Sequence, residues 1–108
     1  MEIKVYIETR GGKCHAQGIY ADGKITVLKG GIISEDFADH IKGGTSAKKL
    51  REDKDVVDKN RIIIKDCLFS SASTAAQFVT GRSTNGYASW KVDKKVSLGE
   101  YLKSKGLR

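Results

Sequence analysis

Between Phe69 and Trp90 the chain reads "FSSASTAAQFVTGRSTNGYASW", and the small residues in this stretch restrict the fold more than any other feature. Ala72, Ala75, Ala76 and Val79 recur at helical spacing, so a helix here presents a small-residue face that can pack close against a sheet. Ser71 stands where an N-cap belongs, and Thr74 and Gln77 have the spacing of a second, capping-box start. Gly81 stands where a helix ends in a left-handed residue. Asn85-Gly86 then reads as a tight turn into a strand, "YASWKV", with Ala88, Trp90 and Val92 on one face and Tyr87 and Lys91 on the other. The stretch is a helix-turn-strand unit that pins the chain's one tryptophan into the core.

A sheet for that helix is written in the first residues. Ile3, Val5 and Ile7 alternate with Lys4, Tyr6 and Glu8, as in a strand buried on one face. After a turn at "RGGK", the segments "CHAQGIY" and "KITVLKG" flank Asp22-Gly23, a two-residue hairpin signal that completes an antiparallel meander. Further on, "RIIIKDCLF" at 61–69 is a β-branched run that fits a buried strand. Ser34 can cap a short helix through "EDFADHIK", broken by Gly43-Gly44, and Ser46 a second one through "AKKLREDKDVV" with Ala47, Leu50 and Val57 on one side. "VSLGEYLKSKG" reads as a terminal helix capped by Ser97, with Leu98, Tyr101 and Leu102 inward and lysines in its last turn. The expected fold class is α+β: a small antiparallel sheet, N-terminal meander plus later strands, packed with two or three helices. At 108 residues this is a single domain, 1–108, with one core.

Composition narrows the function classes. A hydrophobic share of 39% against 31% charged residues fits a soluble globular chain, and no apolar run approaches the ~20 residues of a membrane span. The opening segment lacks the basic and apolar regions of a signal peptide, so the expected location is cytoplasmic. Cys14 and Cys67 lie far apart, and Cys14 and His15, being adjacent in a strand, point to opposite faces. With His40 they make no metal site and no nucleophile-base pair, and there is no phosphate loop of P-loop type and no convincing carboxylate pair. The expectation is therefore no catalytic residue, no metal, no cofactor and no enzyme activity.

Charge points toward polyanions. Twenty Lys and Arg against 13 Asp and Glu give a net +7. Residues 55–108 carry ten basic and five acidic side chains, and so supply five of those seven charges. A basic domain attracts nucleic acid through phosphate neutralisation and counterion release.

The motif also resembles something specific. "FSSASTAAQFVTGRSTNGYASWK" followed by "SLGEYL", and preceded by "CHAQGIYADGKITVLKGG" and "LRED", is similar to an uncharacterised domain family often appended to the C-terminus of GIY-YIG nucleases and restriction-modification proteins. The recurring core of that family is Phe-Ser-Ser-Pro-Ser-x-Ala-Ala, then Gly-Arg-Ser-x-Asn-Gly-Trp, then Trp-Lys. The RAMA domain, named for its association with restriction adenine methylases, has a similar pattern. The present chain departs at Ala72, where the family has proline, and at Tyr87, where it has tryptophan. Its own "GIY" at 18–20 is coincidental, because no Tyr-Ile-Gly follows.

The resemblance implies a non-catalytic DNA-binding module whose partners are DNA, unmodified or modified, and a nuclease or methyltransferase. On that reading the candidate contacts are Ser70, Ser73, Arg82, Ser83, Asn85, Tyr87 and Lys91. Arg82 and Asn85 offer a guanidinium fork and an amide to phosphate or base edges. The alternative is that Arg82 caps helix carbonyls and Asn85 serves a turn. Ser70, Ser71 and Ser73 at a helix N-terminus can cradle a phosphate, or Ser71 simply caps. Tyr87 is the stacking candidate and Trp90 the core residue. The competing function is a protein-protein interaction module that docks a partner subunit.

Overall fold

The computed structural model describes residues 2–9, 13–38, 45–82 and 84–107. Its centre is a six-stranded sheet in the order β4-β3-β2-β1-β5-β6, with every neighbouring pair antiparallel. The strands are β1 Ile3–Glu8, β2 His15–Ala21, β3 Lys24–Val27, β4 Cys67–Phe69, β5 Lys91–Asp93 and β6 Val96–Ser97. Four helices accompany them among the described residues: α1 Thr45–Glu52, α2 Ala72–Thr80, α3 Gly86–Ser89 and α4 Leu98–Ser104. The class is α+β as expected, with one helix more than anticipated because α3 occupies residues read as strand. No helix among the described residues is long and apolar enough to cross a membrane.

The meander forms as its sequence predicts. Asp22 and Gly23 take φ of 51° and 82° at the β2–β3 hairpin. Ile3, Val5 and Ile7 of β1, Ala16 of β2, Ile25 and Val27 of β3, and Cys67 and Phe69 of β4 are all buried. These residues share the sheet face on which α2 lies, packed against β2, β3 and β4. The helix presses down through Ala72, Ala75, Ala76, Phe78 and Val79, with Phe78 5.1 Å from the Phe69 ring. Along the opposite face Lys4, Gln17 and Leu68 are exposed.

Several expectations need correction. The run 61–69 is a strand only from Cys67, and Ile62 and Ile63 instead bridge Ile32 and Val57 of two separate loops. Ile64 and Leu68 are exposed. Helix α1 stops at Glu52 rather than continuing to Val57, because the Asp53 carboxylate accepts the Asp55 N–H and the Asp53 carbonyl accepts those of Val56 and Val57. Residues 35–38 are not helical, and residues 39–42 of that segment lie outside the described residues. The Ser34 hydroxyl donates to the Asp36 carbonyl instead of capping, while the Ser34 and Ala38 N–H groups bond the Val79 and Gly81 carbonyls at the end of α2.

The fourth correction concerns Asn85-Gly86. Asn85 has φ −78°, so it makes no left-handed turn; its side chain accepts the Tyr87 N–H at 3.0 Å and caps α3. "YASW" is accordingly helix first and strand only from Lys91. Ser46 does not cap α1, because the helix already begins at Thr45; the caps at Ser71, Gly81 and Ser97 stand as read. Ser71 accepts the Thr74 N–H at 3.1 Å, Gly81 closes α2 at φ 69°, and Ser97 forms a full capping box with Glu100 ahead of buried Leu98 and Leu102. The second capping box does not form, because Thr74 bonds Ser71 and Gln77 is buried with its Oε1 unpartnered among the described residues.

Candidate nucleic-acid interface

The residues proposed from sequence divide between the two ends of α2, a nine-residue helix about 13 Å long. At its N-terminal end, α2 and α3 meet backbone to backbone. Gly86 is buried there, and a Cβ on it would collide with the Ala72 backbone. Ser73 Oγ accepts the Gly86 N–H at 3.1 Å, and Trp90 Nε1 donates to the Ala72 carbonyl at 3.1 Å. Trp90 is fully buried, as expected of a core residue. Tyr87 is half-buried, with its ring edge-on to Tyr20 at 6.2 Å between centroids. Ser70 is exposed beside this joint, and Asn85 is exposed while capping α3.

Lys91 belongs to the neighbouring strand. It pairs with Tyr6 of β1, and its Nζ donates to the Ala88 carbonyl at 2.9 Å, so the side chain folds back over the end of α3. Ser70, Ser73, Asn85, Tyr87 and Lys91 are therefore gathered around the α2–α3 joint, and most of their polar groups hold that joint together.

Arg82 lies at the other end of α2. Its side chain is exposed and helps to line a cavity of about 370 Å³ together with Lys13, Cys14, Glu35, Asp36 and Arg61. Ser83 lies outside the described residues. The helix-capping alternative for Arg82 falls instead to a residue that sequence reasoning passed over. Arg51 of α1 donates to the Phe78 carbonyl at 2.7 Å, the Ser34 carbonyl at 2.6 Å and the Asp36 carbonyl at 3.1 Å, and its guanidinium covers the Phe37 ring at 5.2 Å. Burial pulls the pKa of Arg51 down, with Cys14 and Asp36 opposing, and three carbonyl acceptors match a guanidinium that stays charged. With the Phe78 carbonyl occupied by Arg51, the exposed Arg82 side chain makes no helix-capping bond among the described residues.

The family model described as a domain of unknown function, DUF4357, matches residues 5–102. The chain belongs to that family. Comparisons with curated proteins and with solved structures returned no match. The matched span covers both ends of α2, and so both halves of the candidate interface.

The described residues contain no group of three or more His, Cys, Asp or Glu placed to hold a metal ion. Cys14 and Cys67 are buried free thiols. Burial pushes the Cys67 thiol up, away from the reactive thiolate. Against 20 basic side chains in the sequence, the described residues show one ion pair, Arg61 with Glu35 at 3.8 Å. Arg61 was not among the residues singled out from sequence, where nothing distinguishes it from other lysines and arginines. The structure sets it apart by its φ of 65°, a left-handed conformation uncommon outside glycine, asparagine and aspartate.

Proposed function

We propose that this DUF4357 domain is a non-catalytic DNA-binding accessory module that works in the cytoplasm beside a nuclease or a restriction-modification methyltransferase. The observation that carries the reading is the surplus of positive charge in the sequence, +7. The chain holds 20 Lys and Arg against 13 Asp and Glu, and one ion pair is formed among the described residues. Cations not consumed internally neutralise phosphate and release counterions, the term that supplies most non-specific affinity for nucleic acid. Exposed Arg82 supports the same reading, since Arg51 has taken over the carbonyls it was a candidate to cap.

A fluorescence anisotropy titration at low salt tests the proposal, with unmodified and adenine-methylated duplexes run in parallel. Binding is expected in both arms, with an affinity that falls steeply as salt rises. No binding near ~100 μM, the weak end of the usual non-specific range, removes the DNA reading. Docking of a partner protein is the second reading, and Leu68 favours it: this leucine is 65% exposed on the sheet face away from α2. Leu68→Asp leaves DNA affinity unchanged if DNA is the ligand, and abolishes co-purification of a partner if docking is the function.

A further inference from the structure

We propose that the cavity bounded by Lys13, Arg61 and Arg82 is a phosphate-binding site. Its three cations come from three separate parts of the chain: the turn before β2, the loop between α1 and β4, and the residue after the Gly81 cap. They converge on about 370 Å³ of open space, ample for a phosphate with its ester substituent. Two arginine forks and one lysine suit the tetrahedral oxygens of phosphate, the arginines through paired N–H bonds and the lysine as a point charge.

Glu35 and Asp36 line the same cavity. Asp36 lies beside Arg51, whose guanidinium is already committed to backbone carbonyls. Glu35 is 83% exposed at its side chain and reaches Arg61 only at 3.8 Å. An exposed pair at that distance is weak, so Glu35 is a carboxylate that an incoming phosphate can displace. Lys13 and Arg82 have no carboxylate within 4.0 Å among the described residues. Arg61 adds an independent pointer. The chain holds an arginine in a left-handed conformation that glycine would adopt without strain, and strained residues concentrate where function requires a side chain in a fixed place.

The phosphate can come from a DNA backbone, in which case the site rests on the DNA reading above, or from a free phosphate compound. Titrating ¹⁵N-labelled protein by NMR separates these sources, with inorganic pyrophosphate in one arm and a short duplex in the other. Both probes are expected to shift the amides of Cys14, Gly81 and Arg82. Arg61→Gly should weaken pyrophosphate binding roughly tenfold, the loss of one charge-assisted contact, while the melting temperature holds or rises because glycine relieves the strained φ. Glu35→Gln should tighten it by removing the competing carboxylate, and this variant carries the test if Arg61→Gly fails to fold. Pyrophosphate shifts without duplex binding keep the phosphate site and overturn the DNA reading. Duplex binding of wild-type strength in Arg61→Gly with weakened pyrophosphate binding excludes the DNA backbone as the source. Pyrophosphate binding of wild-type strength in Arg61→Gly, or no amide shift at the cavity with either probe, overturns the phosphate site.

Discussion

At its N-terminal end α2 touches α3 with Gly86 against the Ala72 backbone, and at its C-terminal end Gly81 lies against the Asp36 carbonyl in the same manner. Both contacts exclude a side chain, yet the polar groups around them are disposed differently. Around Gly86 the side chains turn inward: Ser73 accepts the Gly86 N–H, Asn85 accepts that of Tyr87, and Trp90 donates to Ala72. Around Gly81 the backbone is satisfied by Arg51, Ser34 and Ala38, and Lys13, Arg61 and Arg82 line a cavity together with Glu35 and Asp36. One end of the helix builds the fold, and the other presents charge. The conspicuous Ser71, Ser73 and Asn85-Gly86 signature thus serves the helix ends and the joint between them.

The largest expected effect tests the joint. Trp90→Ala removes a fully buried indole and the Nε1–H that bonds Ala72, and should cost about 3–5 kcal/mol in a urea titration. Tyr87→Ala, which empties a half-buried site, should cost much less. Equal, small losses would place Trp90 outside the core and dissolve the distinction between the two ends.

A smaller effect compares the two glycines directly. Gly86→Ala pushes a methyl into the Ala72 backbone and should cost about 1–3 kcal/mol, the usual penalty for overpacking. Gly81→Ala meets the Asp36 carbonyl and also forces alanine to φ 69°, so it should cost at least as much. Both variants should lower the denaturant midpoint, but they should part in ligand binding. Gly81→Ala displaces the segment that carries Asp36 and Arg82, so affinity for DNA falls, whereas in Gly86→Ala the residual folded fraction binds as wild type. Identical binding losses at matched folded fraction would mean that the α2–α3 joint is itself part of the contact surface.

Much of this arrangement is visible in the chain without coordinates, and the exceptions share a cause. Alternation gives away β1, Asp22-Gly23 marks the hairpin, and Ser71, Gly81 and Ser97 mark helix ends, because each signal lies within a few residues of its effect. The run 61–69 misleads because three consecutive isoleucines state that a segment is apolar, not which partner takes its backbone. Asn85-Gly86 misleads because asparagine serves both turns and caps, and only the approach of Ala72 decides between them. The candidate contact Ser73 and its partner Gly86 are 13 positions apart, and their bond exists only in three dimensions. The same holds for the convergence of Lys13, Arg61 and Arg82, where each residue alone is one basic side chain among 20.

The smallest effect on stability carries the most information about function. Arg82 is exposed, and among the described residues it bonds through its backbone N–H to Thr80 Oγ1, so Arg82→Ala should change stability by no more than about 0.5 kcal/mol. If the side chain neutralises a phosphate, the slope of log affinity against log salt should fall by about one unit, equally for every duplex sequence. Tyr87→Ala provides the contrast from the other end of α2. A ring that stacks on a base contributes about 1–3 kcal/mol with little salt dependence, whereas a ring committed to Tyr20 contributes nothing to binding. A reduced slope in Arg82→Ala together with unchanged affinity in Tyr87→Ala assigns the ligand to the charged end alone. The reverse pattern would return the contact to the joint, and would make the serine and asparagine residues there bifunctional.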